Sequence, residues 1–275
     1  MSRLFSTIVL FFCSLTLHAQ VDSAAIMLRK LYLFEWKDIQ HWQKKQHSDY
    51  HEQLVQTYCY WWLAITAEER GETLRQCRTW AEKASDEAGK RYKKEGKYED
   101  LFFKVLAVIM KARVENLEGN SIRSAFTLRS IAGDCIATLG KERHYKRFTM
   151  TSGLYYYFMS GVESRYRFMK PFLKGYPAGD RVKGLALLSQ GSTEVDDTFL
   201  STECMYILMR IFMEEDNLKM ANRYASRLIT LYPNNPVFVY YYNKSISSGQ
   251  KKRQVPFCDA CSNNQQAYIR KLNQE

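Results

Sequence analysis

The chain is short of the residues that break regular structure. Its 275 residues include 13 Gly and 5 Pro, and every Pro lies between residues 171 and 256. An all-β sandwich or barrel needs a turn signal roughly every 8–12 residues, and no alternating apolar/polar run of useful length occurs here. Gly-rich phosphate loops are missing as well. His47 and His51 are four apart and Glu52 follows, but Val55 stands where a second His of HExxH would be. Both histidines read as surface groups near a helix start. Cys258-Asp259-Ala260-Cys261 has no second CxxC to complete a zinc site, and Ser262 replaces the His of a c-type haem attachment. The pair Asp196-Asp197 sits at an expected helix start, where acids favour the helix dipole. These absences leave no catalytic set, no metal site and no cofactor to expect.

An export pattern opens what is there. Arg3 precedes an apolar run, Leu4 to Leu17, which ends Leu17-His18-Ala19-Gln20. A charged start, a short apolar core and a small residue before the cut have the form of a secretory signal. The run falls short of the roughly 20 residues that span a membrane. Phe12 before Cys13 is too bulky for lipoprotein processing. Cleavage before Gln20 is therefore expected, at a terminus that resembles those of secreted Bacteroidota proteins. The expected location is the periplasm, with a peripheral position at the outer membrane also open. Removing residues 1–19 takes away one Arg and lowers the net charge from +11 to +10. Basic residues gather at Lys90-Arg91 with Lys93-Lys94, at Lys141 to Arg147, and at Lys251-Lys252-Arg253. In the cytosol that surplus would suggest nucleic acid. Outside it, the anions to expect are lipid A phosphates, acidic glycans or an acidic protein; a solvated face of scattered charge is the alternative.

Helical periodicity covers most of the remainder. Apolar stripes run through residues 22–44, 50–67, 98–116 and 121–138, the last through Ile122, Ala125, Leu128, Ala132, Cys135 and Leu139; residues 72–95 read as a long polar helix, rich in Lys and Glu, with one narrow apolar face. Further helices are expected at 145–169, 180–190 and 194–214. Residues 173–179, with Gly175, Pro177 and Gly179, read as a bend between two halves of one array. The clearest stretch is Thr202 to Asn235. Cys204, Ile207, Leu208, Ile211 and Phe212 share one helical face. Asp216 and Asn217 offer caps for a second helix that carries Leu218, Ala221, Ala225, Leu228 and Tyr232. Pro233 ends it, and Asn235-Pro236 starts a third.

This stretch resembles a tetratricopeptide repeat. With Pro233 as the repeat's late proline, Ala221 takes the small position, Leu208 the leucine and Phe212 the aromatic. Met205, Met209, Ala225 and Leu228 depart from the usual types, so one degenerate repeat covers about an eighth of the chain. The resemblance implies a helix-hairpin scaffold that binds rather than catalyses. The fold expected is all-α, an irregular array of antiparallel helix hairpins (a tetratricopeptide-like α-solenoid) over residues 20–248. A polar tail with the CxxC, ordered only in part, follows over 249–275.

Aromatic residues are plentiful, at 19 Tyr, 15 Phe and 5 Trp. Consecutive rings at Tyr155 to Phe158 and Tyr240 to Tyr242 point around most of a helix circumference, so one core does not absorb them all. The expected binding groove is lined by Tyr155, Tyr156, Tyr157, Tyr240, Tyr241 and Tyr242. Arg165, Arg167 and Lys244 beside it would suit an acidic protein or peptide partner. Packing of helix on helix is the alternative use of these rings. Cys59 and Cys77 lie at similar distances from the turn near residue 69, which permits a disulfide, as does Cys258 with Cys261. Cys135 and Cys204 fall on apolar stripes and read as buried thiols. Thiol-redox chemistry at Cys258 and Cys261, or a purely structural envelope role, are the other functions left open.

Overall fold

The computed structural model describes residues 23–165, 175–246, 251–256 and 258–274. The expected signal peptide and Arg167 lie outside them. Among the described residues there are thirteen helices and no strands. They are α1 (23–33), α2 (Trp36–Gln43), α3 (Tyr50–Ile65), α4 (Gly71–Glu95), α5 (Tyr98–Leu117), α6 (Ser121–Ser130), α7 (Ala132–Thr138), α8 (Phe148–Arg165), α9 (Arg181–Gly191), α10 (Thr198–Glu214), α11 (Leu218–Leu231), α12 (Pro236–Ser245) and α13 (Asn263–Gln274).

Sequence neighbours pack as antiparallel hairpins, in the order α3-α4-α5-α6 and then α8-α9-α10-α11-α12. Cross-helix contacts fix the direction. Cys77 of α4 donates its thiol hydrogen to the Thr57 carbonyl of α3 at 3.3 Å. Lys111 of α5 pairs with Glu82 of α4 at 2.8 Å. In the repeat-like segment, Phe212 of α10 stacks on Tyr224 of α11 at 6.0 Å, and the Thr202 and Tyr232 hydroxyls share a hydrogen at 2.8 Å. Cys204, Leu208, Ile211 and Phe212, and Ala221, Ala225, Leu228 and Tyr232, are buried as their spacing implies; Ile207 is half-buried, and Leu218 at the start of α11 is exposed, contrary to expectation, where the helix end leaves it uncovered. Asn217 accepts from the Met220 amide to start α11, and Asn235 accepts from the Val237 and Phe238 amides to start α12. Each such cap stabilises its helix by about 1 kcal/mol.

Glycines set the closest helix crossing. A Cβ on Gly153 of α8 would lie 2.8 Å from Leu188 Cγ, and one on Gly184 of α9 would lie 2.7 Å from the Tyr157 amide nitrogen. At Gly179, before α9, it would fall 1.9 Å from the Ser160 nitrogen. Within the expected bend, the described residues 175–179 run close to α8 and lead into α9, which packs on it.

Both ends of the described chain fold back on the array. Tyr32 of α1 donates to the buried Glu203 carboxylate of α10 at 2.9 Å, and Asn235 Nδ2 donates to the Tyr32 carbonyl at 3.0 Å. The Tyr32 ring meets Trp62 of α3 edge-on at 6.1 Å and Tyr232 at 5.5 Å. One apolar core therefore runs from α1 through α12. The tail is more ordered than its composition suggested. Asn264 of α13 accepts from the Glu68 and Glu69 amides at 2.9 and 3.2 Å, Gln265 reaches Thr66, and Gln40 of α2 donates to the Ala260 carbonyl at 2.9 Å. Polar side chains of the tail here bond backbone amides and carbonyls and the Thr66 hydroxyl, which lets a polar segment dock.

Three local expectations need correction. The single helix read over 22–44 breaks at Phe34, whose φ of 64° is left-handed; Phe34 turns to meet the Trp36 ring at 5.3 Å. The stripe over 121–138 breaks at Ile131, and its first half faces solvent, as described below. His47 and His51 are not surface groups. His47 is buried and stacks on Trp42 at 4.8 Å, while His51 is held between Asp49 and Glu99.

Candidate interaction surfaces

The two tyrosine triplets lie on different helices and engage different neighbours. On α8, the Tyr155 hydroxyl donates to the Pro177 carbonyl at 2.9 Å. Lys183 of α9 lies 4.0 Å from the Tyr156 ring centroid and donates to its hydroxyl at 2.8 Å. Tyr157 donates to Glu215 at 3.0 Å, and Arg181 grips the same carboxylate at 2.9 Å. Burial and that carboxylate push the Tyr157 phenol up to about 12. On α12, Tyr241 meets Tyr206 and the Arg210 guanidinium, and Tyr242 lies under Arg253. Lys244 donates to the Tyr240 hydroxyl at 3.4 Å. All three α12 rings are half-buried. Arg165 ends α8, and its side chain is outside the described set. Neighbouring groups thus engage the hydroxyls of Tyr155, Tyr156, Tyr157 and Tyr240 and a face of Tyr241 and Tyr242.

A different surface is open. Helix α6 buries Ser124 and turns its apolar residues outward: Ile122 is 75% exposed, Phe126 65% and Leu128 42%. Ile122, Ala125, Phe126 and Arg129 fall on one helical face by their i, i+3, i+4, i+7 spacing. Beside Phe126 lies a groove of about 420 Å³ between α4, α5 and α6, with Ala81 and Val108 in its wall and Ser85, Thr127 and Ser130 at its polar edge. Two ion pairs frame it. Lys111 reaches Glu82, and Arg123 Nε lies 3.1 Å from Oε1 of the fully buried Glu115. The helical period was legible here, but not the side that faces out. Ser124, small enough to lie against α5, is the only local hint.

Two buried charge clusters lie away from this groove. Glu203, 2% exposed, accepts from Tyr32, with Arg113 3.8 Å away. Burial raises its carboxyl above the usual range, against the pull of Arg113 and Tyr32. The Arg113 guanidinium lies 4.7 Å from the Trp61 ring and 5.7 Å from Tyr206. At the other cluster, His51 Nδ1 bonds Asp49 at 2.7 Å and Nε2 bonds Glu99 at 3.4 Å. Burial opposes the imidazolium, but the two carboxylates outweigh it and raise the His51 pKa.

No family model matches this chain, and neither a curated protein nor a solved structure matches it. The assignment therefore rests on its own geometry.

Cys258 and Cys261 are joined as a disulfide just before α13. Cys59 and Cys77 are not joined: both are free and buried, and Cys77 is turned to the Thr57 carbonyl. Burial raises the Cys59 thiol far above its ordinary value and pushes Cys77 up to about 12. Cys204 is buried and free, and Cys135 is half-buried and free. Among the described residues, no group of three or more His, Cys, Asp or Glu is placed to hold a metal, and no helix is long and apolar enough to cross a membrane.

Proposed function

We propose that this protein is a non-catalytic helical-hairpin scaffold of the exported envelope, and that it binds a protein partner through α6 and the adjoining groove. The observation that carries this reading is the outward turn of Ile122 and Phe126 over a groove walled by Ala81 and Val108. Isolated exposed apolar residues need no explanation, but an adjacent set on one helix face beside a groove has the form of a contact site. An amphipathic helix or strand of the partner would place an apolar side chain beside Phe126 and bring polar groups to Ser85 and Thr127. The bonded Cys258–Cys261 pair supports an oxidising compartment.

A photoreactive side chain placed at Ile122, with the protein expressed in its own host, tests this. A discrete crosslinked partner is expected, and the Phe126→Asp variant should lose it. The same substitution should change stability by no more than about 0.5 kcal/mol, as for an exposed site. A loss above roughly 2 kcal/mol would make Phe126 part of the core and remove the surface.

A further inference from the structure

Two of the three basic clusters in the sequence meet at one end of the molecule. Lys90, Lys93 and Lys94 are exposed on the last turns of α4 and share one face by their i, i+3, i+4 spacing. Helix α4 ends at Gly96, left-handed at φ 67°, and α5 begins at Tyr98. The loop of residues 139–147 returns to this same turn. Lys141 Nζ lies 5.3 Å from the Tyr98 ring centroid, and the His144 ring lies 6.4 Å from it. Arg143 between them is exposed.

Pairing separates the cations at this end into two groups. Arg91 reaches Asp49 at 3.2 Å, Lys97 reaches Glu95 at 2.6 Å, Lys146 reaches Glu194 at 2.8 Å and Arg147 reaches Asp197 at 2.5 Å. Those four are neutralised within the chain. Among the described residues, Lys90, Lys93, Lys94 and Arg143 have no carboxylate within 4.0 Å. Of the nearby acids, Glu95 pairs with Lys97, Glu87 with Arg91, and Glu142 accepts from the Gly140 amide; Asp86 lies one turn before Lys90 without an ion pair among the described residues. The dipole of α4 favours cations in its last turn, which accounts in part for Lys93 and Lys94. It does not account for Arg143, which precedes the N-terminus of α8.

We propose that this end is an electrostatic docking surface for an anionic phospholipid bilayer, with Lys93, Lys94, Lys141 and Arg143 facing the phosphate plane. Clusters of four or more basic residues near a membrane surface have this effect. The charges sit at helix ends and a loop instead of lining a cleft, which suits a plane of phosphates better than a bound peptide. Lysine supplies most of them, as a point charge and not a bidentate fork. Tyr98 packs on Phe148 at 5.5 Å and lies under Lys141, so it offers no stacking platform for bases. This surface is separate from the α6 groove, and each proposal survives failure of the other.

The test is co-sedimentation of the purified full chain with vesicles at low salt. Vesicles of phosphatidylglycerol mixed with phosphatidylcholine should bind it, and pure phosphatidylcholine should not. Binding should fall at least tenfold when Lys93, Lys94, Lys141 and Arg143 are all changed to Gln, with the melting temperature held. If that variant misfolds, the pair Lys93→Glu and Lys94→Glu, at exposed positions, reads the same surface. The control removes Lys251, Lys252 and Arg253, and should lower binding less than threefold. An equal loss in the control would mean net charge alone is responsible and would overturn the proposal. Capture by soluble polyglutamate without vesicle binding would overturn it in favour of an acidic protein segment. Competition by inorganic phosphate at constant ionic strength would overturn it in favour of a discrete anion site.

Discussion

His51 joins the cap of α3 to the first turn of α5. Its two ring nitrogens meet carboxylates from different helices, so the imidazolium is a charged rivet between them. The sign of its pH dependence follows from the direction of the shifts. The folded-state pKa of His51 is raised, so its contribution is complete below the unfolded value of about 6.5 and is lost as pH rises through the folded value. In Glu99 the bond to His51 Nε2 lowers the pKa; in Asp49 burial opposes ionisation, but the bonds to His51 through Nδ1 and its amide outweigh it and lower the pKa. Their contributions are present above about 4 and fade as pH falls further. The cluster should stabilise most between about pH 4.5 and 6.5. Melting curves from pH 5.5 to 8.5 should show a decline that His51→Gln flattens, since the amide keeps hydrogen bonds but not the titrating charge. An unchanged decline in the variant would assign the pH dependence to other groups. Nothing in the local sequence announced this site, because Glu99 lies 48 residues from His51. The surface reading failed because tertiary partners, not neighbours along the chain, bury the ring.

Among the elements, helix starts were the most legible. Asn217, Asn235 and Asp197 cap the helices that their positions implied, since a cap acts on amides two or three residues away and needs no tertiary partner. Faces were less legible. Most of the α10 and α11 stripes are buried where expected, Leu218 excepted, whereas the same period in α6 turns outward. Period fixes which residues share a face, and neighbouring helices decide which face is covered. The tyrosine triplets show the same dependence on neighbours: Lys183 of α9 covers Tyr156, Arg210 of α10 covers Tyr241, and Arg253 covers Tyr242. At the α8–α9 crossing, backbone runs so close to backbone that a methyl has no room at Gly184. Gly184→Ala should therefore destabilise by about 1–3 kcal/mol, as overpacking does. Within a helix, Ala would otherwise gain about 1 kcal/mol over Gly. A stabilised variant in urea unfolding would show that the helices separate at little cost.

Taken whole, the molecule is a hairpin array whose first helix is wedged between its early and late parts. Asn235 is the joint. Its side chain caps α12 through two amides and donates to the Tyr32 carbonyl, all within the buried core. Asn235→Ala removes a cap and leaves a buried carbonyl unpaired. The expected loss is about 2–4 kcal/mol, read as a shift in the urea midpoint. Amides of residues 24–33 should then exchange faster than those of α4 and α5. Uniform acceleration across the chain would mean that α1 and the late helices do not form a separable unit.

That wedge also sets an order of events. The Tyr32 bonds to Glu203 and Asn235 span 171 and 203 residues. A chain made from its N-terminus presents α1 long before its binding site exists. Until residue 235 emerges, α1 can meet α3 through Tyr32 and Trp62 but lacks its bonds to Glu203 and Asn235. Hairpins α3-α4-α5 can form at once from local contacts, while closure waits for the last quarter of the sequence. During that interval the surfaces that close last stay open to water, and it is then that proteases and holding chaperones would act most readily.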